Sequence, residues 1–185
     1  QCIDVSNLQG RQIVASLVSM RDGKPDKSSY KRFRIRDLAE QDDFESIAQV
    51  VRRHFQRVLD GELAAPDLLL IDGGRGQLSS AYAALTDLGM QQQPVAAIEK
   101  GEEKLFLADR TEPVPLRPHV DALKLVQRVR DEAHRFAITY HRSLRSKSVL
   151  RSELAEIPGV GPKRQRALLH KFGSLAGVRT ASAAS

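Results

Sequence analysis

The stretch LLLIDGGRGQL, residues 68–78, is the segment that decides the fold. Its four consecutive apolar residues follow Pro66 and Asp67 and precede two glycines, a pattern that predicts a short strand buried on both faces. Asp72 closes that strand. The glycines then predict a tight turn into a helix over about residues 76–88, which Gly89 ends.

The segments on either side complete a mixed α/β pattern. Three alternating stretches predict a meander of strands before an amphipathic helix that begins near Asp42 and Asp43. After residues 68–78 come a second buried strand, PVAAI, a charged loop that holds the short strand KLFLA, and a long helix. We therefore expect a mixed sheet flanked by helices. The predicted strands of the meander are 1–7, 12–20 and 28–36, and the predicted long helix is 119–141.

The net charge of +6 is unevenly distributed. Residues 1–140 hold 20 basic and 21 acidic side chains, whereas residues 141–185 hold 9 and 2. This asymmetry favours a polyanionic partner bound by the C-terminal part, the alternative being a solvated basic end. The single cysteine, Cys2, excludes an intrachain disulfide and fits a reducing compartment. With no apolar stretch of about 20 residues and no signal sequence visible, we expect a cytoplasmic protein without membrane contact.

Three ionisable side chains occupy positions where chemistry is expected. Asp4 interrupts the first strand, Asp72 ends the buried strand, and His134 stands at the edge of the apolar stripe of the long helix. Unpaired charges in apolar strands are costly, and two carboxylates on adjacent strands repel one another. If the fourth strand lies beside the first, a divalent cation, Mg²⁺ or Mn²⁺, resolves the conflict and can promote attack at phosphorus. His134 then serves as a metal ligand or as an acid or base.

Each of these residues also has an ordinary structural interpretation. Asp4 could hydrogen-bond the LQG turn, Asp72 could cap the following helix, and His134 could be a surface histidine. Asp42 and Asp43 read as acids in the first turn of a helix. The GGRGQL run lacks both the GxxxxGK[ST] and the GxGxxG patterns, so nucleotide binding is weakly supported.

The stretch LAEIPGVGPKRQRALLHKFG, residues 154–173, is typical of two short helices joined by a hairpin. Gly159, Val160 and Gly161 form its turn, and their backbone N–H groups would face outward at a helix N-terminus, where phosphate binds. Lys163 and Arg164 follow and add positive charge. The alternative is an ordinary helical hairpin. We expect two domains, 1–145 with the sheet and 146–185 with the DNA-binding hairpin.

Four stretches resemble the UvrC family, the incision subunit of bacterial nucleotide excision repair. They are CIDVSNLQG, LLLIDGGRGQL, VQRVRDEAHRFAITYHR and IPGVGPKRQRALLHKFGSL, and they keep the family's order. The resemblance implies an RNase H-like endonuclease domain that makes the incision 5′ of a lesion in double-stranded DNA, followed by the first helix-hairpin-helix. It also implies a catalytic triad at Asp4, Asp72 and His134, with a further family acid matching Asp43.

The chain departs from the family pattern in several ways. Asn7 stands where many members have His, and the sequence stops at ASAAS, just after the first hairpin. The N-terminal GIY-YIG nuclease domain and the UVR segment that meets UvrB are not in this sequence. We therefore expect a piece of a longer protein, whose contact with UvrB in a UvrA-dependent assembly lies in a region outside this chain.

Two other functions are compatible with the same residues. One is a non-catalytic DNA-binding module that uses the RNase H-like body as a scaffold. The other is an RNase H-fold nuclease that acts on branched DNA. The first needs only the hairpin, whereas both nucleases need Asp4 and Asp72 to lie together.

Overall fold

The computed structural model describes residues 1–8, 12–35, 42–99, 104–155, 157, 159–173 and 175–181. It divides into two compact units, Gln1–Ile138 and Thr139–Ser185. The turn predicted around residues 9–11 lies outside the described residues. The assignment of 1–145 and 146–185 to separate functions stays a prediction.

The described part of the first unit is built on a seven-stranded sheet and a separate two-stranded hairpin. The strands are β1 (Cys2–Leu8), β2 (Gln12–Val18), β3 (Met20–Arg21), β4 (Lys24–Pro25), β5 (Lys31–Arg34), β6 (Leu69–Asp72), β7 (Val95–Glu99), β8 (Lys104–Leu107) and β9 (Val114–Pro115). The large sheet has the order β5-β2-β1-β6-β7-β8-β9, and β3 pairs with β4.

Strand β6 lies at the centre of this sheet, as the apolar run at residues 68–71 predicts. It pairs in parallel with β1 on one side and with β7 on the other. Leu69 and Ile71 are fully buried. The outer pairs β1–β2, β2–β5, β7–β8 and β8–β9 are antiparallel. The predicted RNase H-like mixed α/β fold is confirmed.

Helices cover both faces of the sheet. The described helices are α1 (Asp43–Leu59), α2 (Arg75–Asp87), α3 (Val120–Ala155), α4 (Pro162–Phe172) and α5 (Leu175–Thr180). Residues of α1 and α2, such as Val51 and Leu85, share a core with Ile3 and Ile71 on one face. On the other face the first half of α3 packs on the sheet, and this core includes Val126, Val129 and Ala133 together with Cys2, Val18, Leu70 and Ile98.

Local signals fix the ends of the two helices that flank β6. The Asp42 carboxylate caps α1, accepting from the backbone N–H of Phe44 at 2.9 Å and of Glu45 at 3.0 Å. Such capping satisfies donors that the first turn leaves without partners. After α2, Gly89 adopts a φ of +73°, a conformation that costs other residues about 1–2 kcal/mol.

The secondary structure departs from expectation in two places. The long helix was predicted to end at residue 141, but α3 continues to Ala155, because no Gly or Pro interrupts it. The β3–β4 hairpin and strand β9 were not predicted. Such two-residue strands are too short to give a periodic pattern. Within the described residues, no helix is long and apolar enough to cross a membrane.

His54 of α1 is a buried imidazole in the first unit, with only 1% of its surface exposed. Its Nε2 lies 2.8 Å from the side-chain oxygen of Gln1, and its ring meets those of Phe33 and Phe55 edge-on. Burial lowers the pKa of His54 to about 4, and the charges of Lys31 and Arg57 act in the same direction. His54 is therefore neutral in the folded protein at neutral pH.

We expect this burial to make stability depend on pH. A histidine whose pKa is depressed by folding contributes fully above its unfolded value of about 6.5, and its contribution is lost as pH falls toward the folded value. The free energy of unfolding should drop by up to about 3 kcal/mol between pH 6.5 and 4. Urea titrations across that range should show a flatter profile for His54→Gln, while His119→Gln, a change at an exposed residue, should keep the wild-type slope.

Candidate active site

Two carboxylates stand side by side at the middle of the sheet. In the parallel pairing of β1 with β6, Asp4 is the register partner of Asp72. Residues paired across adjacent strands project to the same face, which here is the face covered by α3. Asp4 is only 5% exposed, whereas Asp72 is half-buried. Asp72 is not the N-cap of the next helix, because Gly74 holds that position.

A histidine from α3 meets this carboxylate pair. The Nδ1 atom of His134 lies 3.5 Å from Oδ2 of Asp4, and 58% of the His134 side chain is exposed. Asp4 and His134 are 130 positions apart along the chain and Asp72 lies between them, yet the three residues are neighbours in the fold. The site combines a buried acid, a half-buried acid and an imidazole that solvent can reach.

The geometry of the three residues fits a divalent cation. One ligand atom each from Asp4, Asp72 and His134 lies within 4.8 Å of the other two. Two carboxylate oxygens and one imidazole nitrogen suit the hard and borderline divalent ions, among them Mg²⁺ and Mn²⁺. Only three protein ligands are present in this group, which leaves coordination positions for water and substrate oxygens.

The helix that carries His134 is tied to the sheet by a polar contact next to the site. The Tyr30 hydroxyl donates to Oε1 of Glu132 at 2.8 Å, and the Arg135 guanidinium donates to both oxygens of the same carboxylate at 2.6 and 2.7 Å. The rings of Tyr30 and Phe136 pack edge to face, with centroids 5.1 Å apart. These contacts bracket His134 on both sides and restrict how α3 can shift.

The hydrogen bonds that Glu132 accepts favour its ionised form. Hydrogen bonds from Arg135 first, and also from Tyr30, hold the pKa of Glu132 below its usual range. Burial, followed by the hydrogen bond to Glu132, raises the pKa of Tyr30. No local pattern in the sequence marks Tyr30 and Glu132 as site residues, because they are 102 positions apart.

The turn after Asp72 is shaped by glycine and by one glutamine. The backbone N–H of Gly74 donates to the side-chain oxygen of Gln77 at 2.8 Å, and Gly73 donates to the Ile98 carbonyl at 3.2 Å. A Cβ on Gly73 would come within 2.9 Å of the Gln77 side chain. Glycine at position 73 therefore leaves room for Gln77 to fold back over the turn that follows Asp72.

Asp43, the further acid that the resemblance implied, is not part of the group of three. It lies exposed in the first turn of α1. The neighbouring Phe44 packs its ring where a side chain on Gly76 would otherwise stand, so the first turns of α1 and α2 are in contact. A role for Asp43 stays a prediction. The side chain of Asn7 lies outside the described residues.

Cys2 lies on the same strand as Asp4, but its thiol is unreactive. Its thiol is fully buried, and burial raises its pKa, with the charge of Asp72 as the next cause. A thiol kept protonated in this way is a poor nucleophile and a poor metal ligand.

The second unit contains the predicted hairpin. Gly159 has a φ of +83°, Gly161 is the N-cap of α4, and Pro162 opens that helix. Lys163 and Arg164 are exposed on its first turn, and Arg164 donates to the Gly159 carbonyl at 2.6 Å. Val160, which is half-buried, closes the turn by donating to the Ile157 carbonyl at 3.0 Å. The turn is thus formed as expected, while DNA binding by these residues stays a prediction.

Known proteins similar to this chain cover its sheet-bearing unit and the hairpin. The family described as "UvrC RNAse H endonuclease domain" matches residues 1–138. Relatives called UvrABC system protein C include those of Gemmatimonas aurantiaca, 49% identical over 98% of this chain, and Dechloromonas aromatica, 46% identical over 98%. The relative from Dehalococcoides mccartyi is 49% identical over 97%. The chain spans only 29%, 31% and 30% of the length of these three relatives.

Together, the mixed sheet, the helices on both of its faces and the acidic pair at its centre define an RNase H-like α/β protein. Residues 1–138 match the family model of that class. The chain belongs to the UvrC family.

The hydrogen bond between Tyr30 and Glu132 should contribute measurably to the free energy of unfolding. Tyr30→Phe removes one hydrogen bond to a half-buried carboxylate and should lower the free energy of unfolding by about 1–2 kcal/mol. Tyr82→Phe is the matched control, because Tyr82 is 37% exposed on α2 and its hydroxyl forms no hydrogen bond with another described residue. Equal urea midpoints for the two variants would show that the Tyr30 hydroxyl does not restrain α3.

Proposed function

We propose that this chain is a metal-dependent DNA endonuclease that makes the incision 5′ of a lesion in nucleotide excision repair. The observation that carries the proposal is the convergence of Asp4, Asp72 and His134, whose ligand atoms lie within 4.8 Å of one another. Membership of the UvrC family, with a match to its RNase H endonuclease domain, supports the same reaction.

The residues of the cluster suit hydrolysis of a phosphodiester. Asp4 and Asp72 would hold Mg²⁺ or Mn²⁺ through one carboxylate oxygen each, and His134 would complete the set. When bound, the cation activates water and offsets charge that develops at phosphorus. As the alternative to acting as a ligand, His134 would keep its Nδ1 turned to the nearly buried Asp4, 3.5 Å away. Its other ring nitrogen, Nε2, would then move a proton at the substrate.

The partners follow from the relatives' name and from the charge of the second unit. Because the relatives are called UvrABC system protein C, we propose damaged double-stranded DNA as the substrate and an assembly that depends on UvrA and UvrB. Lesion choice then belongs to the assembly. Contact with UvrB would use a region beyond these residues.

The hairpin of the second unit is the proposed DNA anchor. In the turn Gly159-Val160-Gly161, the two glycines would present backbone N–H groups to a phosphate at the start of α4, an eleven-residue helix, while the Val160 N–H closes the turn on the Ile157 carbonyl. Lys163 and Arg164 add positive charge beside that end. Contacts of this kind hold the backbone of DNA and read no sequence.

Removing one carboxylate of the pair should abolish cleavage and keep the fold. Asp72→Asn preserves the shape of the side chain but removes a charged ligand, so Mn²⁺-dependent nicking of damaged duplex DNA should fall by at least about a hundredfold. Asp109→Asn, at an exposed acid outside the cluster, should nick like the wild type. Circular dichroism should give both variants a native spectrum.

The opposite result has a clear meaning. Undiminished nicking by pure Asp72→Asn would refute the assignment and favour a DNA-binding module without catalysis. Preference for branched over damaged duplexes would favour a different RNase H-fold nuclease. Asp43→Asn in the same assay decides whether that exposed acid takes part.

The hairpin makes a separate prediction about salt dependence. Lys163→Gln removes one exposed charge beside the turn, so the slope of log affinity against log salt should become shallower by about one. Fluorescence anisotropy with duplex DNA over a KCl series measures this slope. An unchanged slope would mean that the first turn of α4 does not contact phosphate.

A further inference from the structure

A row of paired residues runs from the acidic cluster to the edge of the sheet. Asp72 on β6 is the register partner of Asp4 on β1, Asp4 of Ser16 on β2, and Ser16 of Arg32 on β5. Since register partners on adjacent strands project to one face, the four side chains share the face that bears the cluster. Ser16 is buried and its hydroxyl points to the Ala133 carbonyl of α3, 3.5 Å away.

The far end of this row is strongly basic. Strand β5 has the sequence KRFR and is an edge strand of the sheet. Arg32 and Arg34 are exposed, whereas Phe33 between them is buried on the opposite face. The Arg32 guanidinium lies 4.4 Å from the centre of the Phe136 ring, which is two residues from His134. The arginine is therefore held beside the cluster by a cation–π contact.

Arg34 continues the basic edge one step further along the strand. Its register partner is Val14, the residue opposite Ser6 of β1. The backbone carbonyl of Arg34 accepts a hydrogen bond from Arg53 at 3.0 Å, and the Arg53 guanidinium stacks over Phe33. Among the described residues, no carboxylate forms an ion pair with Arg34 or Arg53. Arg34 thus adds a second exposed positive charge to the edge that carries Arg32.

We propose that edge strand β5 binds the phosphate backbone of the DNA that flanks the cleaved bond, with Arg32 and Arg34 as the contacting residues. This inference rests on the proposed nuclease function, because it takes the cluster as the place of cleavage. Strands lie about 4.8 Å apart, so β5 is about 10 Å from β1. One DNA strand carries a phosphate about every 3.4 Å along the helix axis, so the arginines meet phosphates about three nucleotides from the cleaved one.

Arginine suits this position better than lysine would. Its planar guanidinium can donate two parallel hydrogen bonds to a phosphate, and it stacks on an aromatic ring at the same time. Arg32 already shows the second behaviour on Phe136. A competing explanation is that charges on β5 only keep an exposed sheet edge from pairing with other chains. That explanation predicts no contact with DNA.

The test measures DNA binding over a KCl series in EDTA, where cleavage does not interfere. The probe is a fluorescein-labelled duplex, and the readout is anisotropy with the whole chain. Near 0.1 M salt, Arg34→Gln should bind roughly five- to tenfold more weakly than the wild type, with a slope shallower by about one. Arg34→Lys should restore the slope, since it restores the charge.

A matched control separates a local contact from general charge. Lys124→Gln removes one exposed charge from α3, ten residues or about 15 Å along the helix from His134. It should leave affinity and slope within twofold of the wild type. The double change Arg32→Gln with Arg34→Gln should make the slope shallower by about two.

Two outcomes would overturn the proposal. If Arg34→Gln keeps the affinity and salt slope of the wild type, the charges on β5 only keep the sheet edge from pairing with other chains. If Arg34→Gln and Lys124→Gln lose equal affinity, the effect is one of general charge. The nicking assay with Mn²⁺ on damaged duplex DNA distinguishes these outcomes from failure of the nuclease function. If the wild-type chain nicks DNA and Arg34→Gln binds DNA as tightly as the wild type, only the phosphate contact is rejected. If the wild-type chain itself does not nick DNA, the function on which the inference rests is rejected.

Discussion

The parallel pairing of β1 with β6 is the constraint on which the rest of the site depends. It sets Asp4 next to Asp72 at the centre of a sheet, where one carboxylate is almost fully buried and the other half-buried. Two like charges at one strand spacing destabilise the folded chain unless a positive charge offsets them. A slip of one residue in this register would turn Asp72 to the opposite face, which is filled by α1 and α2. The packing of Leu69 and Ile71 therefore protects the geometry of the acids as well as the core.

The third group of the site is placed by a different mechanism. His134 comes from a helix, and a helix on a sheet can slide or rotate unless side chains fix it. Apolar contacts of Val129 and Ala133 hold the axis against the sheet, and the polar tie from Tyr30 to Glu132 sets its position along that axis. The site thus combines an acidic pair that the sheet holds in register with an imidazole whose helix is held by its own apolar and polar contacts.

Sequence reasoning succeeded where the signal was local and failed where it was not. The apolar run before Asp72 predicted a central strand, because a strand buried on both faces has almost no alternative composition. The capping acid Asp42 and the terminating Gly89 located helix ends for similar reasons. Asp4 and Asp72 are neighbours only because β1 lies beside β6. The sequence was compatible with this strand order but did not determine it. The length of α3 and the Tyr30–Glu132 contact depend on tertiary packing, so the spacing of residues along the chain did not predict them.

The distribution of charge explains how an acidic centre can receive a polyanion. Residues 1–140 hold nearly equal numbers of acidic and basic side chains, so the sheet-bearing unit has no strong overall attraction for DNA. Attraction must then be local, and the basic edge strand is only two strands from the acids. The second source is the excess of basic side chains in residues 141–185. Because ions screen such forces within about 10 Å at 0.1 M salt, only charges near the bound backbone can offset the repulsion between phosphate and carboxylate. The proposed binding along the edge strand and at the hairpin, with a cation held between the acids, would satisfy this electrostatic requirement.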